Sequence, residues 1–201
     1  MSTRKRKGRY HHGNLRRALI DEALKTIRKT GVSGLTLRGA GAALGVSRTA
    51  LYRHFADKDA LLAAVAREGF IALKASLDAA RRSALELADQ LTEMGAAYVR
   101  FAIESPSHYR VMFGGFLDRC KDEPDLIADA GAAFQALVDA ILDLQRARLV
   151  RQDDARQLSR FVWAAVHGIA MLAIDGQLGP DPDAGLALYR DSAPRIRAGL
   201  V

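Results

Sequence analysis

Ser47, Arg48, Thr49, Tyr52, Arg53 and His54 fall within eight residues of one another, and no carboxylate lies among them. Each of these side chains carries a hydrogen-bond donor. Presented on one side of a helix, such a row suits a groove walled by phosphates, where some donors fix the register on the backbone and others reach base edges. The charge distribution points the same way. Residues 1–60 hold 14 Lys and Arg against 4 Asp and Glu, a balance of +10; residues 61–201 hold 16 against 19, a balance of −3. The net charge of +7 is therefore concentrated in the first third. A polyanion is the partner this implies, because neutralising phosphates releases counterions and drives association.

Holding those donors in a row calls for a helix-turn-helix over residues 36–55. Thr36 can cap a helix over 37–44, Gly45 breaks it and supplies the backbone freedom of the turn, and Ser47 can cap a third helix reaching Phe55. Val46 plugs the junction. Leu37, Leu44, Leu51 and Phe55 form an apolar side that can bury against a first helix. The recurrence of Leu15, Leu19, Ile20, Ala23, Leu24 and Ile27 predicts that helix from Asn14 to Thr30, with Gly31 as a left-handed cap. Asp57 can cap a fourth helix beginning at Lys58. Gly39 and Gly41 inside the second helix should each cost roughly 0.5–1 kcal/mol relative to alanine. Either that helix is locally soft, or a close crossing uses the missing side chains.

Gly45-Val46-Ser47, then Leu51-Tyr52-Arg53-His54-Phe55, then Asp57-Lys58-Asp59-Ala60-Leu61-Leu62 resembles the signature of the TetR family of bacterial repressors, over about residues 13–73. The resemblance implies that Thr36, Tyr52, His54 and Lys58 contact phosphates and that Ser47, Arg48 and Thr49 read bases, an arginine there taking guanine O6 and N7. Lys58 would stand at a helix N-terminus, where free amides already favour an anion. Arg38 and Arg53 complete the expected DNA-contacting set. Residues 1–12 have the composition of a disordered basic arm, and Arg4 to Arg9 could follow a minor groove or serve only as a solubilising tail.

Beyond this region the helices lengthen. Periodicity and breakers predict helices at about 57–80, 84–104, 108–113, 125–148, 153–177 and 183–199. The whole is an all-α fold of about nine helices. An N-terminal three-helix DNA-binding domain occupies 13–73, and a larger helical bundle for ligand binding and dimerisation occupies 74–201. Trp163-Ala164-Ala165-Val166-His167-Gly168 and Pro106-Ser107-His108-Tyr109-Arg110-Val111-Met112-Phe113 resemble the WHG-type C-terminal domain of the same family. Met94, Tyr98, Phe101, Tyr109, Phe113, Phe116, Trp163 and His167 are either a plain core stripe or the lining of an apolar effector pocket with a few polar groups. His167 lies one turn from Trp163 and is either a hydrogen-bonded core histidine or a sensing or metal-binding group. Gly168 would let a neighbouring helix approach. The resemblance further implies a homodimer through a four-helix bundle of the helices at about 153–177 and 183–199. Residues 161–174 are apolar nearly all round, more than one chain's core needs. Two recognition helices related by a two-fold axis would read a pseudo-palindromic operator.

Other functions find less support. The sequence shows no glycine-rich phosphate loop, nucleophile elbow, histidine pair with metal spacing or matched carboxylate pair, so an enzyme is not expected, nor a metal or cofactor beyond a small-molecule effector. The single cysteine, Cys120, excludes an internal disulfide and a cysteine-based zinc knuckle and fits the reducing cytoplasm. It is a passive surface thiol or, in its charged surroundings, a sensing one. No signal peptide is expected, and the apolar run 161–174 is too short to cross a bilayer. A non-specific architectural DNA binder would share the basic third but would not need the near-neutral 140 residues that follow. The expectation is a sequence-specific transcriptional repressor, released from its operator by a small molecule.

Overall fold

Where the structure describes the chain, its three- and four-residue apolar spacing resolves into helices. The computed structural model describes residues 15–115 and 123–201. Among them are α1 (Leu15–Gly34), α2 (Leu37–Ala43), α3 (Arg48–Tyr52), α4 (Lys58–Ser83), α5 (Gln90–Glu104), α6 (Pro106–Phe113), α7 (Pro124–Arg146), α8 (Ala155–Ile174) and α9 (Ala184–Ala198), with a 3₁₀ turn at Leu87–Asp89 and no strand. The chain divides into two compact units, Met1–Val65 and Ala66–Val201. α4 contributes its first two turns to one and the rest to the other.

In the N-terminal unit, Leu19, Ile20, Ala23 and Ile27 of α1 bury with Leu37, Leu51, Phe55, Leu61 and Leu62. Three side-chain caps set the helix starts. Thr36 Oγ1 accepts from the Gly39 amide at 3.0 Å, Ser47 Oγ from the Ala50 amide at 3.2 Å, and Asp57 Oδ1 from the Ala60 amide at 2.8 Å. Each such cap stabilises by about 1 kcal/mol. Gly45 turns the chain at φ 66°, a left-handed conformation that glycine adopts without steric cost. A β-carbon on Gly41 would lie 2.9 Å from Leu51 Cδ2. A close crossing of α2 and α3 therefore accounts for that glycine. At Gly39 a β-carbon would lie 2.7 Å from the Thr36 hydroxyl oxygen, so its absence makes room for the cap.

Two expectations change here. Gly31 takes φ 74° with ψ 175°, a region essentially confined to glycine. The helix then resumes to Gly34, so Gly31 is a kink and not a left-handed cap. α3 ends at Tyr52, not Phe55. The backbone turns through Arg53 and His54, and Phe55 folds back into the core beneath the Arg16 guanidinium, 5.3 Å from the ring centre.

The C-terminal unit is built on α5, whose residues Met94 to Val99, with Phe101 and Ala102, are all buried. α5 packs against α8 and α9, which pack on each other, and α7 packs on α8. Small residues permit the close approaches. A β-carbon on Gly95 would overlap the Tyr189 hydroxyl, and one on Gly185 would lie 2.6 Å from Ala173 Cβ. α5 begins at Gln90, six residues later than expected, because α4 runs on to Ser83 and the 3₁₀ turn intervenes. α6 starts at Pro106 and not His108, since a proline at the first helical position loses no hydrogen bond. α8 has 20 residues and is apolar enough in composition to cross a membrane, so the shortness expected of this segment does not hold. It is instead a helix packed among α5, α7 and α9. Gly168 has no atom within 4 Å of where its β-carbon would stand. It is exposed, so no helix of the same chain uses it as a point of approach.

Candidate DNA interface and effector cavity

α3 and the residues that flank it divide sharply by burial. Leu51 is 3% exposed, whereas Ser47, Arg48, Thr49, Tyr52, Arg53 and His54 are all exposed. Arg48 and Thr49 form the first turn of α3, and Thr36 and Arg38 lie exposed at the start of α2. Tyr52 leaves 46% of its surface open. The Thr36 and Ser47 oxygens accept the capping amides, which leaves their hydroxyl protons available to an outside acceptor. Lys58 is placed differently from the others. It is half-buried, and its Nζ donates to the Val32 carbonyl at 2.8 Å. An ammonium has three protons, so two remain beyond this tether to the end of α1. The basic arm expected over residues 1–12 lies outside the described residues.

In the C-terminal unit a cavity of about 190 Å³ opens among five helices. α4 supplies Phe70, Leu73 and Leu77; α5 supplies Leu91, Met94, Gly95 and Tyr98; α6 supplies Phe113. α7 adds Ala130, Ala133, Phe134 and Leu137, and α8 adds Val162, Trp163 and Val166. Arg67 on α4 reaches α7 at one end of this space, with Nε 2.7 Å from Asp129 and Nη1 2.9 Å from Asp125. Arg81, farther along α4, pairs with Asp143 of α7.

One wall carries a polar cluster. The Trp163 indole N–H donates to the Tyr98 hydroxyl at 3.0 Å, and the Tyr98 and Tyr109 hydroxyls are 3.0 Å apart. Both stand within reach of His167 Nδ1, Tyr109 at 2.7 Å and Tyr98 at 3.1 Å. A neutral imidazole serves these hydroxyls through Nδ1, as acceptor or as donor according to its tautomer. Burial acts in the same direction and lowers the His167 pKa. Burial pushes the Tyr98 phenol up to about 12 and that of Tyr109 up as well, so both keep their protons. His167 is thus half-buried and within hydrogen-bond reach of both phenols. Among the described residues no cluster of His, Cys, Asp and Glu is suited to a metal.

Of the residues expected in the pocket, Met94, Tyr98, Phe113 and Trp163 line it. Tyr109 and His167 stand behind Tyr98 in the polar cluster. Phe101 is buried but belongs to the packed core, not the lining. Phe116 and Cys120 lie outside the described residues. The contributions of α4 and α7 were missed, because plain Leu, Ala and Phe at helical spacing read as ordinary core.

A family model for the tetracyclin repressor-like C-terminal domain matches residues 91–191, half of the chain, and one for bacterial regulatory proteins of the tetR family matches residues 19–65. The chain belongs to the TetR family. It is a helix-turn-helix transcriptional regulator. Among solved structures, a protein of unknown function from Rhodococcus sp. RHA1 is 31% identical and superposes with a TM-score of 0.78, covering 96% of this chain and 99% of that one. The HTH-type transcriptional regulator Rv1816 of Mycobacterium tuberculosis is 25% identical over 92% of this chain and 88% of its own length. The transcriptional repressor AcnR of Corynebacterium efficiens is 34% identical over 97 residues, 48% of this chain and 44% of that protein. In this TetR-family protein, the stretch 91–191 contains the Trp163–His167 wall and the stretch 19–65 contains the exposed α3 row.

Proposed function

We propose that this regulator is a repressor that reads its operator through α3 and is released when a small molecule fills the cavity of the C-terminal unit. The observation that carries the first half is the division of α3 and its flanking residues: every donor from Ser47 to His54 is exposed while Leu51 and Phe55 are buried. Arg48 and Thr49, with Ser47, are the base readers. Thr36, Tyr52, His54 and Lys58 hold phosphates, and Arg38 and Arg53 add to the set. The protein acts in the cytoplasm as a homodimer through α8 and α9 on a pseudo-palindromic site. In support, α8 leaves Phe161, Ala164, Gly168 and Leu172 exposed on one side. The second half follows from α4, which contributes three cavity residues and also the Asp57-capped turn of the N-terminal unit.

The test is equilibrium binding to duplexes enriched from a random pool, measured across a salt series. Lys58→Ala should weaken binding to all sequences and reduce the slope of log affinity against log salt by about one. Arg48→Ala should cost about 1–3 kcal/mol at one base pair per half-site and leave other positions alone. A uniform loss with unchanged base preference for Arg48→Ala would refute its role as a reader.

A further inference from the structure

We infer that the cavity takes a neutral aromatic molecule of two fused rings and rejects carboxylates; this rests on the effector reading given above and names the chemistry of that site. Three observations lead to it. The first is charge. Among the described residues the lining has no Asp, Glu, Lys, Arg or His. A carboxylate inside would find no charged partner among these residues, which is strongly unfavourable.

The second is that the polar groups at the wall are already engaged. The Trp163 N–H is held by the Tyr98 oxygen, and both phenols converge on His167 Nδ1. No buried side-chain nitrogen or oxygen among the described residues lacks a partner. A ligand group demanding a hydrogen bond would have to break one of these. The interior therefore favours a molecule that asks for none.

The third is size and shape. At interior packing density, about 190 Å³ holds about ten non-hydrogen atoms. Four rings border the space in sequence: Phe70 lies 5.6 Å from Phe113, Phe113 6.2 Å from Trp163, and Trp163 5.9 Å from Phe134, centre to centre. Their inclinations of 80°, 50° and 61° offer both edges and faces to a flat guest. Naphthalene meets the size, charge and ring requirements together.

The experiment is a titration of the full-length protein with naphthalene, decalin and 2-naphthoate, followed by calorimetry and thermal shift. Naphthalene should bind and raise the melting temperature. Decalin, of the same size but saturated, should bind several-fold more weakly, and 2-naphthoate at least a hundredfold more weakly. Equal or tighter binding of 2-naphthoate overturns the inference, as does failure of naphthalene to bind. Ala133→Phe, which grows a ring into the cavity, should abolish naphthalene binding. The wild-type ligand series decides the matter independently should that variant misfold. Operator release is measured separately. Naphthalene that binds without releasing DNA leaves the cavity chemistry standing and refutes the effector reading.

Discussion

Leu172→Glu should convert the protein to monomers without unfolding it. Leu172 lies on α8 with Phe161, Ala164 and Gly168 on the same side, and it is 43% exposed in the single chain. That exposure amounts to about 80 Å² of apolar surface, and covering it stabilises an interface by about 2 kcal/mol. In a two-fold interface the residue occurs twice, giving about 4 kcal/mol, or about a thousandfold in the dissociation constant. Two glutamates brought together at the contact add repulsion to that loss. In the isolated chain the side chain already faces water, so the substitution should change unfolding free energy by no more than about 0.5 kcal/mol. Sedimentation velocity over a dilution series, with denaturant unfolding at the same concentrations, separates the two effects. Operator affinity should fall with the dimer, because the second half-site no longer benefits from being tethered to the first. A Leu172→Glu protein that stays dimeric under the dilution where the wild type is dimeric would refute the assignment of this face.

Two further perturbations test the internal arguments. His167 has a folded-state pKa lowered by burial, so the unfolded chain takes up its proton first as pH falls. Its contribution to stability is complete above about 6.5, the ordinary histidine value, and is lost progressively below it; His167→Gln should remove that part of the acid-side loss in a melting-temperature profile. Gly41→Val, which puts a branched side chain against Leu51, should destabilise by about 1–3 kcal/mol and weaken operator binding; an unchanged or raised melting temperature would mean that α2 is soft and not closely crossed.

The sequence and the structure agree best where a function is carried by neighbours along the chain. Thr36, Ser47 and Asp57 each cap a helix by accepting from the amide three residues ahead, so the cap, the turn at Gly45 and the outward row at α3 are local facts that residue types and spacing reveal. At Gly41 the sequence leaves a soft helix and a close crossing open, and the position of Leu51 decides for the crossing. The cavity obeys a different logic. Tyr98 and His167 meet across 69 positions, and Trp163 donates to Tyr98 across 65. Nothing in helical periodicity relates residues so far apart, and an alanine lining a void has the same signature in sequence as an alanine packed against a neighbour. Family resemblance could point to Trp163 and His167 but not to the α4 and α7 walls, because those walls are defined by what does not fill the space between them. The Arg67 and Arg81 pairs with α7 show how that space is kept: at both ends long, charged side chains reach from one helix to the other, and the room between is left to a guest. A sequence advertises the atoms that make contacts. A binding cavity consists of the contacts that were not made, so it becomes visible only when the helices are in place.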